Sequence, residues 1–389
     1  MSVSEILTPP KDPFFGERLD ADGHVYPEPD LMREILGDLG RDPISDYIAA
    51  YFGSEEDRAS RAQNREDIWS IKGISALGAS FSRAEERVEA LEMMGLRSQL
   101  VFQNTFGKEL RVDSPSARAA CRRYNDVALA WGAQTGGRAR VACMINMGDI
   151  AWALEEVDRV IRGGAKLVTL PCAAPPAGLS PAHSAWDPFW RRLEEADVAV
   201  TLHLGGGGML SGEAADPILP GREWGQAETL KGTPASRPGG EEAISPYFML
   251  VAHMPAELYL QILVMGGVFE RFPRLRLGII EYGSGWVGPC VERMDLWTGF
   301  LAKVGRSYPM KPSEYVRRNV RVAPFYHENL PLMIDRYGME EIYVFSTDYP
   351  HLEGSRDPVG KFQKWLDRLD PTYARKFFVE NGALLFPGL

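Results

Sequence analysis

The chain alternates short apolar runs with amphipathic stretches, and this alternation is the feature that most limits its possible folds. From residue 83 onward, each apolar run is followed by a stretch with helical periodicity. Parallel strands need helical crossovers, so the pattern predicts a parallel α/β sheet. Eight strands are predicted, and eight favours closure into a (β/α)8 TIM barrel. They lie at Leu19, 98–103, 139–145, 166–170, 198–203, 275–281, 319–324 and 342–348.

An open, doubly wound sheet is the alternative arrangement of such elements. That fold typically carries a glycine-rich phosphate loop after its first strand, and no such loop is present. The glycine run at 205–208 follows a strand but has neither the dinucleotide nor the P-loop spacing. We therefore expect a single barrel domain over residues 1–389.

Two long segments interrupt the alternation and follow predicted strand ends. They cover residues 27–82 and 205–247. Because the C-terminal ends of barrel strands carry the active site, both segments are predicted to be lid insertions at that face.

Composition excludes several classes of function. A formal net charge of −10 argues against a nucleic-acid surface or a polybasic membrane anchor. No signal peptide and no membrane-spanning run is recognised, so a cytoplasmic location is expected. The four cysteines lack CxxC spacing and are expected to be buried and reduced. The helix at 266–273 and the aromatic-rich C-terminal half suggest a homodimer.

All six histidines follow, or end, a predicted strand. The sharpest cluster is Asp22 and His24 on the first strand, His203 on the fifth and Asp348 after the eighth. Alternation along a strand puts Asp22 and His24 on one face. Imidazole and carboxylate suit Zn, Fe or Mn, which predicts a divalent-metal site. A helix-capping role for the Asp22–His24 pair, and a turn role for Asp348, remain open.

The chain resembles the amidohydrolase superfamily, in the branch that contains metal-dependent hydrolases and the aminocarboxymuconate-semialdehyde and resorcylate-type decarboxylases. The resemblance implies a distorted (β/α)8 barrel, with an aspartate after strand eight as ligand and proton acceptor. His24, His203 and Asp348 match its metal ligands, and Asp22 stands where many members have histidine. The bridging lysine of some relatives has no match, because Lys166 lies at the wrong end of its strand. The stretches that carry the resemblance are 19–24, 202–203, 266–275 and 346–351.

Glu281 is the main departure from that family pattern. The decarboxylase relatives typically end the sixth strand with histidine, and here a carboxylate stands in its place. Glu281 is predicted to ligate or bridge metal, with a salt bridge in the barrel mouth as the alternative. His253 is a candidate replacement for the missing imidazole, as ligand or catalytic group, or else a residue of the helix entry. The six candidate ligands, sufficient for one or two ions, are Asp22, His24, His203, His253, Glu281 and Asp348.

The remaining histidines have weaker assignments. His351 and His327 are candidate substrate-binding residues, with ordinary polar loop positions as the alternative. His183 lies in a proline-rich loop and is expected to be structural.

The preferred functional hypothesis is a hydrolase of a small-molecule ester, thioester or amide. Metal-activated hydroxide would attack the carbonyl, and Asp348 would accept the proton. The alternative is a non-oxidative, metal-dependent decarboxylase of an aromatic or unsaturated carboxylic acid. A position for His253 near the substrate carbon would favour decarboxylation, and Glu281 on the metal would favour hydrolysis. A barrel that binds metal without catalysis is the third hypothesis.

Overall fold

The protein is built around parallel strands that pair in two arcs. The computed structural model describes residues 12–39, 51–103, 113–204, 222–231 and 245–389. The strands are β1 Arg18–Asp20, β2 His24–Val25, β3 Leu96–Gln103, β4 Ala139–Val141, β5 Cys143–Met144, β6 Leu167–Leu170, β7 Ala199–His203, β8 Arg276–Ile280 and β9 Val320–Val322. In one arc β3 lies between β1 and β2 and also pairs with β4, and in the other β5 to β9 follow in order, with every pair parallel.

Backbone hydrogen bonds close the two arcs into one barrel. Ala142 separates β4 from β5, and its N–H donates to the Val101 carbonyl at 2.9 Å, so these two short strands are one interrupted strand. The other seam is filled by residues 343–349. There the Val344 N–H donates to the Val322 carbonyl (3.1 Å), and the Ala21 N–H donates to the Phe345 carbonyl (2.9 Å). The predicted barrel is thereby confirmed, with the eighth strand present as single bridges and hydrogen bonds.

Helices surround the barrel, and most connect consecutive strands. Their caps follow from the sequence, as at Ser114, whose Oγ accepts the Ala117 N–H at 3.1 Å before the longest helix. The α-helices are Pro29–Leu36, Glu55–Glu66, Ala84–Met93, Pro115–Gln134, Ile150–Arg162, Asp187–Glu195, Pro246–Val251, Met254–Met265, Val268–Arg271, Val287–Ala302, Pro312–Asn319, Leu330–Tyr337, Pro358–Leu366 and Thr372–Arg375.

Alternate residues of each strand serve two different cores. In β8, Leu277 and Ile279 pack outward against the helices, whereas Ile280 faces the barrel interior. Burying a side chain of this size contributes about 1.5–3 kcal/mol. A Cβ on Gly278 would lie 3.1 Å from Leu385, because the C-terminal turn fills the barrel there.

The segment 27–82 is more regular than the sequence suggested. We expected its first regular helix at Arg83, yet Pro29–Leu36 and Glu55–Glu66 are already α-helical. The second helix was not predicted because its sequence is polar and most of its surface is exposed. Ser54 caps this helix by accepting the Asp57 N–H at 3.1 Å. Ile68, Ile74 and Leu77 belong to the main core, so this segment also stabilises the barrel. In the segment 205–247, residues 205–221 and 232–244 lie outside the described residues. The lid role of both segments stays a prediction.

One described helical stretch, Pro246–Met265, is long and apolar enough to cross a membrane by length and composition alone. Core helices pass the same test, and Leu260 and Leu263 of this stretch are buried in the main core. The finding is therefore weak evidence for a membrane span. The expectation for the cysteines is met, because Cys121, Cys143, Cys172 and Cys290 are all buried and free.

Candidate active site

The C-terminal ends of four strands bring six ionisable side chains together. Asp22 and His24 lie on either side of Gly23 at the end of the first strand, and His203 ends β7. Glu281 directly follows β8. A Cβ on Gly23 would lie 2.4 Å from the Gln99 side chain, so any larger residue between the two site residues would have to displace the Gln99 amide. Asp348 and His351 follow the eighth strand.

Short distances join these side chains into one cluster. His24 Nε2 lies 3.1 Å from Asp22 Oδ1 and 3.2 Å from Asp348 Oδ1. His203 Nε2 lies 3.3 Å from the same Asp22 oxygen. Potential ligand atoms of Asp22, His24, His203 and Glu281 lie within 4.8 Å of one another. The same holds for His24, Glu281, Asp348 and His351.

Two of the carboxylates stand on an uncommon backbone conformation. Glu281 has φ of 65°, in the left-handed region that residues other than glycine, asparagine and aspartate seldom adopt. Asp348 has φ of 56° in the same region, which aspartate adopts more readily. The Asp348 N–H donates to the Asp22 carbonyl at 3.1 Å. Such conformations persist where surrounding structure enforces them, and they concentrate at functional sites.

Hydrogen bonds orient the ring of His203 and hold the backbone of both strand histidines. His203 Nδ1 lies 2.7 Å from the Leu204 carbonyl, which leaves Nε2 facing Asp22. The Tyr282 hydroxyl donates to the His203 carbonyl at 3.0 Å. The buried guanidinium of Arg87 donates to the His24 carbonyl. The Leu204 carbonyl thus orients the His203 ring, and further hydrogen bonds hold the backbone of both histidines.

The electrostatics of the cluster suit a cation. Burial and His351 lower the pKa of His24, but the Asp22 and Asp348 carboxylates outweigh them and raise it to about 9. Burial opposes ionisation of Asp348, yet the His351 and His24 imidazoles hold its pKa well below its usual range. Burial raises the pKa of Glu281. Buried carboxylates and imidazoles at these separations are the donor set that divalent transition metals bind, so the residues fit such an ion.

A cavity of about 260 Å³ opens beside the cluster. Asp22, Glu281, Asp348 and His351 form its polar floor. Its walls are largely apolar and come from the helix Pro246–Val251, the loop after β9 and the residues after strand eight. They include Leu204, Phe248, Met249, Ala252, Tyr282, Pro324, Phe325, Tyr326 and Phe362. The combination is typical of a site for a small organic molecule.

The other predicted histidines lie apart from the cluster. His253 lines the cavity, with Nε2 3.6 Å from Glu257 Oε2 and its ring 6.0 Å from that of Trp286. It belongs to neither group of candidate ligands found among the described residues. His327 also lines the cavity and stacks on Phe325 at 5.4 Å. His183 Nδ1 accepts the Ala185 N–H at 3.1 Å and caps a short helix, as a structural residue would.

Sequence reasoning missed two ionisable groups near the site, the buried Asp20 and the half-buried Lys72. Asp20 accepts hydrogen bonds from Thr347 Oγ1 (2.6 Å) and Gln99 Nε2 (2.7 Å), and burial raises its pKa to about 7. Its spacing from Asp22 could have revealed it, since both side chains fall on one face of the strand. Lys72 donates to the Ser355 carbonyl at 3.2 Å, and nothing in the sequence pattern pointed to it.

A parallel barrel with a histidine–carboxylate cluster at its C-terminal face defines a class of metal-dependent barrel enzymes. The family model described as amidohydrolase matches residues 108–388. The chain therefore belongs to the amidohydrolase family of enzymes. Asp22 and His24 precede the matched residues, and the fold brings them to His203 and Asp348.

Solved structures share this fold over nearly the whole chain. An amidohydrolase from Mycobacterium avium subsp. paratuberculosis has 24% identity and a TM-score of 0.68, with 95% of this chain and 99% of that chain covered. A 5-carboxyvanillate decarboxylase from Novosphingobium aromaticivorans, with bound manganese and a nitrobenzoic acid, has 17% identity and a TM-score of 0.61, covering 95% and 97%. A 2,6-dihydroxybenzoate decarboxylase from Rhizobium has 18% identity and a TM-score of 0.60, covering 95% and 98%.

Proposed function

We propose that the protein is a non-oxidative, metal-dependent decarboxylase of an aromatic or unsaturated carboxylic acid. The observation that carries the proposal is the shared cavity, in which a metal-binding floor meets an aromatic wall. An aromatic acid matches both parts, since its carboxylate suits the floor and its ring suits Phe248 and Phe325. The decarboxylases of similar fold, one of them with bound manganese, support the same reaction class.

Asp22, His24, His203, Glu281 and Asp348 are the residues that would hold the ion. A bound divalent cation would supply positive charge for the substrate carboxylate at the cavity floor. The chain's own contribution is to fix that carboxylate and to exclude water from the ring with apolar side chains. Positioning of this kind lowers the barrier because the reacting groups are already oriented.

Decarboxylation needs a proton at the carbon that loses CO2. When the carbon–carboxylate bond breaks, its electron pair stays with the substrate, and the new C–H bond takes its proton from an acid. Asp348 is held ionised by His351 and His24, which makes it an acceptor rather than a donor. His253 lines the cavity and lies outside both groups of candidate ligands, so its ring is free to face the substrate. Burial lowers the pKa of His253, whereas the Glu257 carboxylate, 3.6 Å from its Nε2, favours the protonated imidazolium that can donate. We assign His253 as the proton donor.

Hydrolysis of an ester, thioester or amide is the second candidate, and Glu281 favours it. This carboxylate stands where the resemblance to decarboxylases predicts histidine, and it lies within the ligand cluster. In a hydrolase, ionised Asp348 would accept the proton of the attacking water and pass it to the leaving group.

The two reactions are separated by substrate pairs that share one ring. The full-length protein loaded with Mn²⁺ is incubated with hydroxylated benzoic acids and unsaturated acids, and with their methyl esters, amides and thioesters. We expect CO2 release and incorporation of solvent deuterium at the former carboxylate carbon. Hydrolysis of the esters with no CO2 from any acid would reject the decarboxylase.

A variant of the proton donor tests its assigned role. His253→Gln should reduce CO2 release at least ~100-fold, the loss typical of a missing general acid. His183→Gln is the matched control, because His183 is exposed and lies outside the cavity. A His253→Gln variant with full activity would contradict the assignment.

The predicted homodimer and cytoplasmic location stay predictions. The helix at 266–273 is a weaker basis for a dimer than its sequence suggests, because Val268 and Phe269 are fully buried in the protein's own core. Light scattering of the purified chain measures the oligomeric state directly.

A further inference from the structure

The carboxylate of Glu328 joins two loops that line the cavity. The loop after β8 carries Glu281 and Tyr282, and the loop after β9 carries Phe325. Glu328 is not among the lining residues, so it acts through its neighbours. We propose that Glu328 is a positioning residue, which fixes the Glu281 carboxylate relative to the aromatic wall and thereby limits the size of ring that the cavity admits. The limit on ring size rests on the proposed function, whereas the positioning of Glu281 does not.

Donors from both loops converge on the Glu328 carboxylate. The Ser284 N–H donates to Oε1 at 3.0 Å and to Oε2 at 2.9 Å, and the Gly285 N–H donates to Oε1 at 2.7 Å. The Ser284 hydroxyl donates to Oε2 at 3.0 Å. From the other loop, the Phe325 N–H donates to Oε2 at 2.8 Å. The two loops are therefore tied together through one carboxylate, whose charge-assisted hydrogen bonds are roughly twice as strong as those of neutral groups.

The conformation of the first loop links Ser284 to the direction of the Glu281 side chain. Glu281 and Gly283 both have a φ of 65°, so the chain passes through the left-handed region twice directly after β8. Ser284 follows Gly283, and its side chain is almost fully buried. Because Glu281 stands only three residues before Ser284, a displacement of Ser284 changes where the Glu281 carboxylate points.

The second loop packs its aromatic ring against the backbone of the first. A Cβ on Gly283 would lie 3.0 Å from the Phe325 ring and 3.3 Å from Glu328 Oε1. The Phe325 ring thus lies directly over the chain that leads from Glu281 to Ser284. Backbone contacts of this kind hold the floor and the wall of a site at one separation more precisely than long side chains do.

Ligand affinities of the full-length protein test the proposal without reference to turnover. Calorimetric titration measures the Kd of Mn²⁺ for the stripped protein, and then the Kd of benzoate and of the wider 2-naphthoate for the Mn²⁺-loaded protein. Glu328→Gln keeps the size of the side chain but leaves one acceptor oxygen for the converging donors. We expect it to weaken Mn²⁺ and benzoate binding at least ~10-fold each, since a shift of about 1 Å within a site is enough for such a loss. The preference for benzoate over 2-naphthoate should fall, because the wall is no longer held.

Glu194→Gln is the matched control. Glu194 accepts the Arg274 N–H at 2.8 Å, before the opposite end of β8. The control also removes a carboxylate that holds a loop backbone, and it should leave all three affinities unchanged. A role of Glu328 in stability alone would not separate the two variants. If Glu328→Gln fails to fold, Ser284→Ala removes the hydroxyl contact by itself and should shift the affinities in the same direction.

Unchanged affinities in folded Glu328→Gln, or in Ser284→Ala where that variant carries the test, would overturn the proposal. Failure of the proposed function gives a different result. A wild type that binds Mn²⁺ but neither acid would refute the aromatic-acid substrate and the limit on ring size together. The Mn²⁺ affinity of Glu328→Gln would still decide whether Glu328 positions Glu281.

Discussion

The imidazole of His351 stacks on the imidazole of His24, with the ring planes inclined by 18° and the centroids 3.4 Å apart. His24 comes from the end of the first strand and His351 from the loop after the eighth, so the contact joins the two ends of the closed barrel. Side chains more than 300 residues apart in sequence thereby share one buried site. A cation bound there holds the chain ends together, which links metal binding to stability.

Metal binding should stabilise the fold measurably. A ligand that binds only the folded state at 100 times its Kd adds about 2.7 kcal/mol to the free energy of unfolding. We expect Mn²⁺ to raise the Tm of the stripped wild type and to raise that of Asp22→Asn much less. Differential scanning calorimetry measures both. An equal Tm increase in the two proteins would show that Mn²⁺ binds elsewhere.

Gly23→Ala should disrupt the metal site. The added Cβ would lie 2.4 Å from the Gln99 side chain. The Nε2 of that side chain donates to Asp20, and its Oε1 accepts from Arg87. We expect the free energy of unfolding to fall by about 1–3 kcal/mol, the usual cost of overpacking, together with weaker Mn²⁺ binding.

Gly299→Ala is the matched control, since a Cβ there meets no atom within 4 Å. In a helix interior that change is neutral or stabilising by up to ~1 kcal/mol. Denaturant unfolding and Mn²⁺ titration of both variants provide the comparison, and unchanged Mn²⁺ affinity in Gly23→Ala would contradict the expectation.

Lys72 should make stability depend on pH in the alkaline range. Burial lowers the pKa of its ammonium from 10.5 to about 8. Between these two values the unfolded chain binds the proton and the folded chain does not, so stability relative to Lys72→Met rises with pH. Urea unfolding at pH 7.5 and at pH 10 should show that the free energy of unfolding of the wild type rises relative to that of Lys72→Met. A difference that stays constant across that range would mean that Lys72 is not desolvated.

Lys72→Met also tests how the segment 51–82 supports the site. Lys72 donates to Ser355, and the Gly73 N–H donates to the Pro350 carbonyl at 2.6 Å, on the loop that carries His351. We expect Lys72→Met to lower kcat several-fold while the Mn²⁺ stoichiometry stays unchanged, because the loop shifts but the ligands remain. Lys166→Met, at the opposite end of the barrel, is the control. Equal kcat values in the two variants would show that Lys72 does not support the site.

The barrel and the metal donors were predictable because both follow local patterns. The alternation of apolar runs with stretches of helical periodicity predicted the number of strands. The spacing of Asp22 and His24, together with His203 and Asp348, predicted the cluster. The helix Glu55–Glu66 escaped because it buries few apolar side chains and so lacks a clear hydrophobic period. Of His253 and His351, the first was predicted as a metal ligand or catalytic residue and the second as a substrate-binding residue. Both follow strand ends, and only the course of their loops decides that His351 meets Asp348 while His253 faces the cavity wall.

Lys72 illustrates what sequence patterns cannot provide. Its partner Ser355 is 283 positions away, and the contact exists only because the segment 51–82 packs against the loop after the eighth strand. The left-handed backbone at Asp348 likewise accompanies a contact with another strand, because the Asp348 N–H donates to the Asp22 carbonyl.

Anomalous diffraction from a crystal of the Mn²⁺-loaded protein tests the metal centre most directly. We expect strong anomalous density within coordination distance of Asp22, His24 and His203, with Glu281 oxygens directed at it. Density confined to other parts of the molecule, or Asp22 and His203 without any bound ion at saturating Mn²⁺, would contradict the account.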